Sequence, residues 1–271
     1  MSIPSPTSSQ FEVGPLTIHY YALCILLGII SAIVISRARV KSAGGNPDDI
    51  NELAAYVIPA GIIGGRLYHV ITSPEAYFGS RGNFGDAFKI WQGGMGIWGA
   101  IALGGVVVWL RTRTGKYSLT FLQFADLIAP ALFVAQAIGR FGNWFNVELF
   151  GSPTSLPWGL SVPPALRPIG YENFATFHPA FLYESLWSLA GALLLLRSRA
   201  LLRFLGQQSG QLFLAYVAIY CLGRLWIEML RIDQAHHIFG VRLNVWVALI
   251  VLLISLFGIQ RGRASGTKTP A

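Results

Sequence analysis

The sequence predicts an all-α integral membrane protein, a bundle of seven transmembrane helices in one domain covering residues 1–271. Of the 271 residues, 54% are hydrophobic and 12% are charged, which is about half the charged fraction of a soluble globular domain. Seven apolar segments follow one another, each close to the length that crosses a hydrocarbon core of about 30 Å. They cover residues 17–36, 50–72, 94–111, 119–138, 179–197, 210–230 and 241–260.

The basic residues predict the orientation of these segments. Twelve of the twenty lysines and arginines follow the odd-numbered segments, three after each, whereas the first 16 residues contain none. Because connections rich in Lys and Arg stay in the cytoplasm, we expect the N-terminus outside and the C-terminus in the cytoplasm. The net charge of +8 is then mostly an orientation signal. Four short, separated basic segments do not form the basic face that a nucleic-acid partner requires.

The connections between the helices carry further signals. Residues 139–178 are predicted to form an outer loop, because five prolines between 153 and 168 exclude a long helix, and a loop of this length often carries function. Residues 265–271 are expected to be a disordered tail. Closely spaced glycines in helices two and three, including Gly64 and Gly99, predict close contact between backbones. The sequence contains no Cys/His spacing typical of a metal site and no phosphate-cradling loop, so we expect neither a metal nor a cofactor.

Arg224 lies inside the apolar segment 210–230, where a charge costs at least about 2.5–3.5 kcal/mol on insertion scales. Glu228 and Arg231 follow at spacings of four and three residues, so the three side chains share one helical face. That face carries a net positive charge, and we expect it to point into the protein rather than toward lipid. An anionic group is therefore its predicted ligand.

The predicted orientation places most strongly polar side chains in the outer half of the membrane. Arg66 lies in the outer third of helix two, and Arg140 follows helix four. Asp126, in the inner part of helix four, is an exception. This convergence predicts a polar cavity open to the outer leaflet or the outer aqueous space. Guanidinium groups in such a cavity suit forked hydrogen bonding to phosphate or carboxylate.

Simpler roles remain open for several of these residues. Arg66 could pair with Glu184 or Glu228 as a structural contact, and Arg231 could extend to the membrane interface. Four aromatic side chains are most simply interfacial anchors. These are Tyr20, Trp91, Trp144 and Trp158.

The run from Gly139 to Gly151, GRFGNWFNVELFG, resembles the signature of the bacterial prolipoprotein diacylglyceryl transferases. The resemblance covers all seven apolar segments, from about residue 15 to 260. Shorter runs agree with that family in order and spacing: Ile18-His-Tyr-Tyr21-Ala, Gly64-Gly65-Arg66, Trp91-Gln-Gly-Gly94, His178-Pro179 followed by Leu182-Tyr183-Glu184, and Arg224 with Glu228 and Arg231.

The resemblance implies transfer of the diacylglyceryl group of phosphatidylglycerol to the lipobox cysteine of a prolipoprotein, forming a thioether and releasing glycerol phosphate. Its implied partners are phosphatidylglycerol, the prolipoprotein signal peptide and membrane lipid, at the outer leaflet of the bacterial plasma membrane. Arg140 and Arg224 match essential arginines of the family, and we assign them to the phosphate and its developing charge. Residues expected to bind substrate or to orient the arginines are Tyr21, Arg66, Asn143, Asn146, Glu148, Glu228 and Arg231.

One position departs from the family pattern. Many members carry His-Gly-Gly after the Gly-Gly-Met/Leu stretch of helix three, and that histidine is a candidate base, but here Trp98 occupies the position. The cysteine thiol must then lose its proton elsewhere, and a cationic cavity lowers a thiol's pKa by itself. His178 is a weaker candidate base, because Pro179 follows it and it could simply mark the start of helix five.

Two other classes of function are compatible with an arginine-lined cavity. A transporter or channel for an anionic lipid or metabolite would move the anion without covalent change, although neither inverted repeats nor broken helix pairs are evident in the sequence. A catalytically silent lipid-binding scaffold is the other, and only the resemblance argues against it. The transferase is the function that the sequence predicts.

Overall fold

The computed structural model describes residues 2–78, 82–90, 93–206 and 208–266. Six helices in this part of the chain are long and apolar enough to cross a membrane, and Ile97–Thr112 is apolar but shorter. The prediction of a helical integral membrane protein is thus confirmed. The described α-helices are α1 (Tyr20–Ser42), α2 (Asp48–Thr72), α3 (Ile97–Thr112), α4 (Phe121–Asn146), α5 (Ala180–Arg197), α6 (Arg199–Leu205), α7 (Gln211–Leu230) and α8 (Leu243–Gly266).

Short β-strands, which were not predicted from the sequence, lie before α1 and in the connections between later helices. Leu160 faces Ile3 in a parallel pair and Phe177 in an antiparallel pair. Such pairing satisfies backbone groups in segments where proline prevents a helix. The strands are β1 (Ile3–Pro4), β2 (Gln10–Val13), β3 (Leu16–His19), β4 (Leu160–Ser161), β5 (Thr176–Phe177), β6 (His237–Ile238) and β7 (Val241–Arg242), with β2–β3 and β6–β7 forming hairpins.

Helix α4 is longer than the sequence analysis predicted. It continues to Asn146, so residues 139–146, expected at the start of the outer loop, are helical. The helix-breaking prolines of this region begin only at Pro153, and glycine within a helix costs only about 1 kcal/mol relative to alanine. The polar residues of the first half of the signature run therefore have helical spacing.

The C-terminal prediction is only partly covered by the structure. Helix α8 continues to Gly266, so the first two residues of the expected tail extend the helix. Residues 267–271 lie outside the described residues, as does Trp91, which was expected to be an aromatic anchor.

The chain forms two compact units, one comprising Met1–Ile35 and Ala125–Ala271 and the other Ser36–Phe124. In the first unit an apolar core includes Phe133 of α4 and Leu195 of α5, both buried. A second cluster includes Phe177 and lies around the strands between α4 and α5. This unit holds all the predicted site residues except Arg66.

In the second unit α2 and α3 pack closely, as their glycines predicted. A Cβ atom on Gly64 or Gly99 would overlap the carbonyl oxygen of the other residue, so larger residues would separate the two backbones. Gly105 has open space where its Cβ would lie. Close packing therefore explains only some of the glycines in helix three.

Candidate active site

Three helices of the first unit bring the two predicted catalytic arginines to one carboxylate. Glu184 of α5 pairs through one oxygen with Nε of Arg140 on α4 and through the other, at 3.3 Å, with Nη1 of Arg224 on α7. Arg224 also lies 2.6 Å through Nη2 from Oε2 of Glu228, one helical turn along α7. The predicted convergence of Arg140 and Arg224 is present, and Glu184 joins them.

Glu228 connects this pair to a larger group of charges. Its side chain is fully buried, and its Oε1 accepts hydrogen bonds from Arg242 Nε at 2.8 Å and from Asn244 Nδ2 at 3.0 Å. Arg231 lies 3.9 Å from Glu228 Oε2. We call these residues the ion-pair network: Arg140, Glu184, Arg224, Glu228, Arg231, Asp233 and Arg242.

Three residues around Glu228 were not predicted from the sequence: Arg242, Asp233 and Asn244. Arg242 lay within the segment 241–260 that was predicted to cross the membrane, so the criterion that selected Arg224 could also have selected it. Asp233 lies in the short connection between segments 210–230 and 241–260, where the sequence does not indicate that a carboxylate is buried. It pairs with Arg231 at 2.7 Å and with Arg242 at 2.9 Å. Although burial opposes ionisation of both groups, their mutual attraction raises the pKa of Arg231 and lowers the pKa of Asp233.

The polar residues of the signature run form a second cluster beside Arg140. Asn143 accepts a hydrogen bond from Arg140 Nη1 at 3.4 Å and donates one to Glu148 Oε1 at 2.9 Å. Asn146 donates to the same carboxylate oxygen at 3.2 Å. Because α4 is helical through Asn146, the two amides lie one turn apart and can reach one acceptor.

The backbone around Glu148 is strained. Val147 and Leu149, which flank it, have φ angles of 51° and 58°, in the left-handed region that residues other than glycine rarely adopt. Such conformations cost about 1–3 kcal/mol each and cluster at functional sites. Here they turn the chain sharply at the end of α4 and return the Glu148 carboxylate to Asn143, whose carbonyl accepts the Glu148 N–H at 3.1 Å.

The signature run ends at Gly151, where it is attached to α5 and α7. The Gly151 N–H donates to the His178 carbonyl at 2.8 Å, and the Ser152 N–H donates to the Leu230 carbonyl at 2.7 Å. A Cβ on Gly151 would lie 2.8 Å from the His178 Cβ, so the close approach requires glycine. This attachment fixes the chain just after α7, where Arg231 pairs in an antiparallel β-bridge with Gly151.

Tyr21 of α1 contacts the helical half of the signature run. A Cβ on Gly142 would lie 2.5 Å from Cδ2 of the Tyr21 ring, so the ring packs against the bare backbone of α4 at that position. The Tyr21 side chain is partly exposed. Gly142 lies between Arg140 and Asn143, so Tyr21 is placed beside the predicted site.

Arg66 has partners other than those expected. Within its own unit it donates hydrogen bonds to five backbone carbonyls, those of Asp86, Ala87, Lys89, Gly93 and Gly94, and a pairing with Glu184 or Glu228 stays a prediction. The guanidinium has five N–H donors, and this set matches their number. Arg66 therefore holds the carbonyls of residues 86–89 and 93–94 around its guanidinium group, and its role in substrate binding stays a prediction.

His178, the candidate base, lies before α5. Its Nδ1 is 3.1 Å from the Tyr183 hydroxyl, which also accepts a hydrogen bond from Trp158 Nε1 at 3.1 Å. Burial lowers the pKa of His178. Trp158 therefore has a specific polar partner, in addition to any role as an interfacial anchor.

A small cleft in the first unit opens onto the arginines. Its lining includes Arg140, Glu184 and Arg224 with the polar side chains of Gln136 and Tyr220. Within the described residues, no three His, Cys, Asp or Glu side chains come together as a metal site would require. The arrangement can bind an anion, because a shared carboxylate holds both guanidinium groups at the cleft, and 25% of the Arg140 side chain and 17% of the Arg224 side chain are exposed.

Comparison with known proteins identifies the family. Residues 8–261 match the family model described as prolipoprotein diacylglyceryl transferase. The chain is 52% identical to the phosphatidylglycerol–prolipoprotein diacylglyceryl transferase of Cutibacterium acnes, over 98% of this chain and 89% of that protein. It is 47% identical to the enzyme of the same name in Bifidobacterium adolescentis, over 94% of this chain and 78% of that protein. The chain therefore belongs to the prolipoprotein diacylglyceryl transferase family.

Proposed function

We propose that this chain transfers the diacylglyceryl group of phosphatidylglycerol to the lipobox cysteine of a prolipoprotein. The observation that carries the proposal is the meeting of Arg140 and Arg224 at Glu184, in a cleft between membrane helices. A pair of guanidinium groups fixed at one place is suited to a phosphodiester. The names and the identities of the relatives support the same substrates.

The reaction is a substitution at a saturated carbon. The cysteine thiolate attacks the carbon of the diacylglyceryl moiety that carries the phosphate, a C–S bond forms, and the C–O bond from that carbon to phosphate breaks with its electron pair remaining on the phosphate oxygen. The products are a thioether and glycerol phosphate, and the thiol proton is released. Negative charge moves from sulfur to phosphate, so fixed cations that bind the departing phosphate most strongly lower the barrier.

The roles of the site residues follow from their contacts. Arg140 and Arg224 bind the phosphate as charge develops on it. Asn143 and Asn146 bind the glycerol head group, and Glu148 orients Arg140 through Asn143, which is supported by the hydrogen bonds from Arg140 to Asn143 and from Asn143 to Glu148. A second set of residues acts from further away: Glu228 and Arg231 orient Arg224, and Tyr21 supports the helical part of the signature run.

The thiol is activated mainly by the surrounding cations. Trp98 occupies the position where many family members carry a histidine, and the Nδ1 of His178 already has the Tyr183 hydroxyl as a partner. Nearby arginines favour the thiolate and so lower the pKa of a bound cysteine. In this proposal the proton passes to water rather than to a dedicated side-chain base.

The proposed topology has seven spans, with α3 as the shortest, the N-terminus outside and the C-terminus in the cytoplasm. The distribution of Lys and Arg supports it. The site then faces the outer leaflet, where the signal peptide of a secreted prolipoprotein presents its lipobox. The two acyl chains enter from the lipid between helices.

The direct test combines purified protein, phosphatidylglycerol and a lipobox peptide. We expect release of glycerol phosphate and a peptide mass increased by one diacylglyceryl group, with no increase for a peptide in which serine replaces the lipobox cysteine. A transporter or a silent lipid-binding scaffold would leave the peptide mass unchanged. An unmodified peptide, under conditions in which the relative from Cutibacterium acnes modifies it, would refute the proposal.

A further inference from the structure

Arg242 is a buried arginine outside the run of residues assigned to the site, and it makes four hydrogen bonds. Its Nε donates to Glu228 Oε1 at 2.8 Å, and its Nη2 donates to Asp233 Oδ2 at 2.9 Å. Its Nη1 donates to the carbonyls of Arg231 and Asp233, at 3.1 and 2.9 Å. Arg242 lies at the end of β7, immediately before α8. It thus joins the start of α8 to the carboxylate and the chain at the end of α7.

These contacts divide the two oxygens of Glu228 between different cations. Oε1 is occupied by Arg242 and Asn244, which leaves Oε2 for Arg224 at 2.6 Å. A carboxylate without these partners could rotate and bind Arg224 through both oxygens, as arginine–carboxylate pairs often do. Arg224 would then be drawn toward Glu228 and away from Glu184. Arg242 therefore determines how Glu228 holds Arg224.

Arg242 also sets the charge of the network. Among the described residues, the network contains four arginines and three carboxylates, which leaves one excess positive charge. Without Arg242 the positive and negative charges would be equal in number. Because Glu228 is fully buried, loss of a partner is not compensated by water.

We propose that Arg242, together with Asn244, is a positioning residue for the transfer reaction, acting through Glu228 on Arg224. The inference rests on the proposed function and adds residues to it that the sequence analysis did not select. The alternative is that Arg242 only joins β7 and α8 to the rest of the unit. The two roles differ in what they predict for turnover in variants that remain folded.

The test compares Arg242→Gln, Arg242→Lys and Asn244→Ala with wild type in the transfer assay, at varied phosphatidylglycerol concentration. We expect Arg242→Gln to lower kcat by about 100-fold, the size of effect that a small misplacement of a catalytic group produces. Arg242→Lys keeps the positive charge that Arg242→Gln loses, but it lacks the planar guanidinium group that donates to several acceptors at once. We therefore expect its kcat within about tenfold of wild type. Asn244→Ala removes one neutral donor and is expected to give a smaller loss than Arg242→Gln.

The matched control is Arg167→Gln. Arg167 also donates to backbone carbonyls, those of Val162 and Glu172 at 3.0 and 2.8 Å, and it is absent from the network. We expect its kcat to equal that of wild type. Thermal unfolding in detergent identifies which variants are folded, and Asn244→Ala retains a test if Arg242→Gln does not fold.

A double variant shows whether Arg242 affects kcat through Glu228 or independently of it. If Arg242 acts through Glu228, adding Arg242→Gln to Glu228→Gln changes kcat by no more than about twofold, because the interaction is already lost. The double variant also removes both charges of the buried Arg242–Glu228 pair, which is better tolerated than removing one of them. Additive losses in kcat would overturn the inference.

The outcomes for the inference and for the proposed function are distinct. An active wild type with folded Arg242→Gln and Asn244→Ala variants that turn over like Arg167→Gln overturns the inference alone. A wild type that leaves the lipobox peptide unmodified overturns the proposed function and the inference with it. Loss of kcat in Arg242→Gln with recovery in Arg242→Lys supports the inference.

Discussion

Glu184 is the residue at which the two assigned arginines meet, although they come from helices far apart in sequence. A carboxylate between two guanidinium groups orients both and offsets their repulsion before substrate arrives. The donors are then fixed in advance, which is what electrostatic stabilisation of a transition state requires. Glu184 is itself buried, so its charge depends on both arginines for compensation.

The first prediction concerns Arg224. Replacing it with alanine removes one fixed cation from the departing phosphate, and loss of a comparable donor in other enzymes costs about 10²–10³-fold in kcat. We expect Arg224→Ala to lower glycerol phosphate release by at least that factor while the protein remains folded. Arg203→Ala, at an exposed arginine of α6, is the control. Turnover equal to that control would remove Arg224 from the mechanism.

The second prediction concerns the pH dependence of stability at His178. Burial lowers the pKa of this histidine in the folded protein, whereas an unfolded chain titrates near about 6.5. Its contribution to the free energy of unfolding is therefore present above about pH 6.5 and is lost as pH falls through the lower, folded-state pKa. We expect His178→Asn to flatten the decrease in Tm below pH 6.5.

The control for this experiment is His19→Asn, at an exposed histidine. Parallel curves of Tm against pH for wild type and His178→Asn would contradict the prediction. The same variant tests the proton acceptor. A general base typically contributes about 10²–10⁴-fold, so a transfer rate near that of wild type would leave the arginines as the main activators of the thiol.

At the scale of elements, the end of α4 shows what could and could not be predicted from the sequence. The apolar segment and the polar run after it were evident, and they placed Arg140 and Asn143 near one another. The continuation of the helix to Asn146 was not evident, because prolines further along suggested an earlier loop. Nor could spacing reveal that Val147 and Leu149 adopt left-handed conformations, since neither residue type favours them.

The third prediction tests the contact between α4 and α1. A Cβ on Gly142 would overlap the Tyr21 ring, whereas a Cβ on Gly139 would make an ordinary 3.6 Å contact with Ile25. We expect Gly142→Ala to displace Tyr21, to reduce stability by about 1–3 kcal/mol and to lower the transfer rate. Gly139→Ala, in the same helix, is the control and gains helix propensity of about 1 kcal/mol. Equal Tm values and rates for the two variants would contradict the packing argument.

At the scale of the whole molecule, composition and periodicity were sufficient for the membrane class and for most helix positions. Long-range pairing was not predictable in this way. For Arg66 the sequence did not reveal the hydrogen bonds to backbone carbonyls of residues 86–89 and 93–94. Arg242 was overlooked although it pairs with Glu228. A charge in an apolar segment indicates that a partner exists, but only the three-dimensional structure identifies the partner.

The fourth prediction tests the proposed topology with single cysteines. After Cys24 and Cys221, which are buried, are replaced by alanine, one cysteine is introduced at Ser8, Lys41, Thr114 or Asn173, all exposed. Cells are then treated with a membrane-impermeant maleimide before or after permeabilisation. Because the positive-inside rule places the basic connections in the cytoplasm, Ser8→Cys and Asn173→Cys should react in intact cells. Lys41→Cys and Thr114→Cys should react only after permeabilisation.

Thr114 is the decisive position, because it follows α3, the 16-residue helix. A helix of that length extends about 24 Å, since each residue adds 1.5 Å, which is slightly less than a hydrocarbon core of about 30 Å. Crossing therefore requires local thinning of the bilayer or help from flanking residues such as Arg113, whose long side chain can extend to the interface. If α3 did not cross, Thr114→Cys would react in intact cells like Ser8→Cys, and the seven-span topology would be wrong. Protection of Thr114→Cys until permeabilisation, with Asn173→Cys reactive in intact cells, would support a seven-span arrangement in which α3 crosses the membrane.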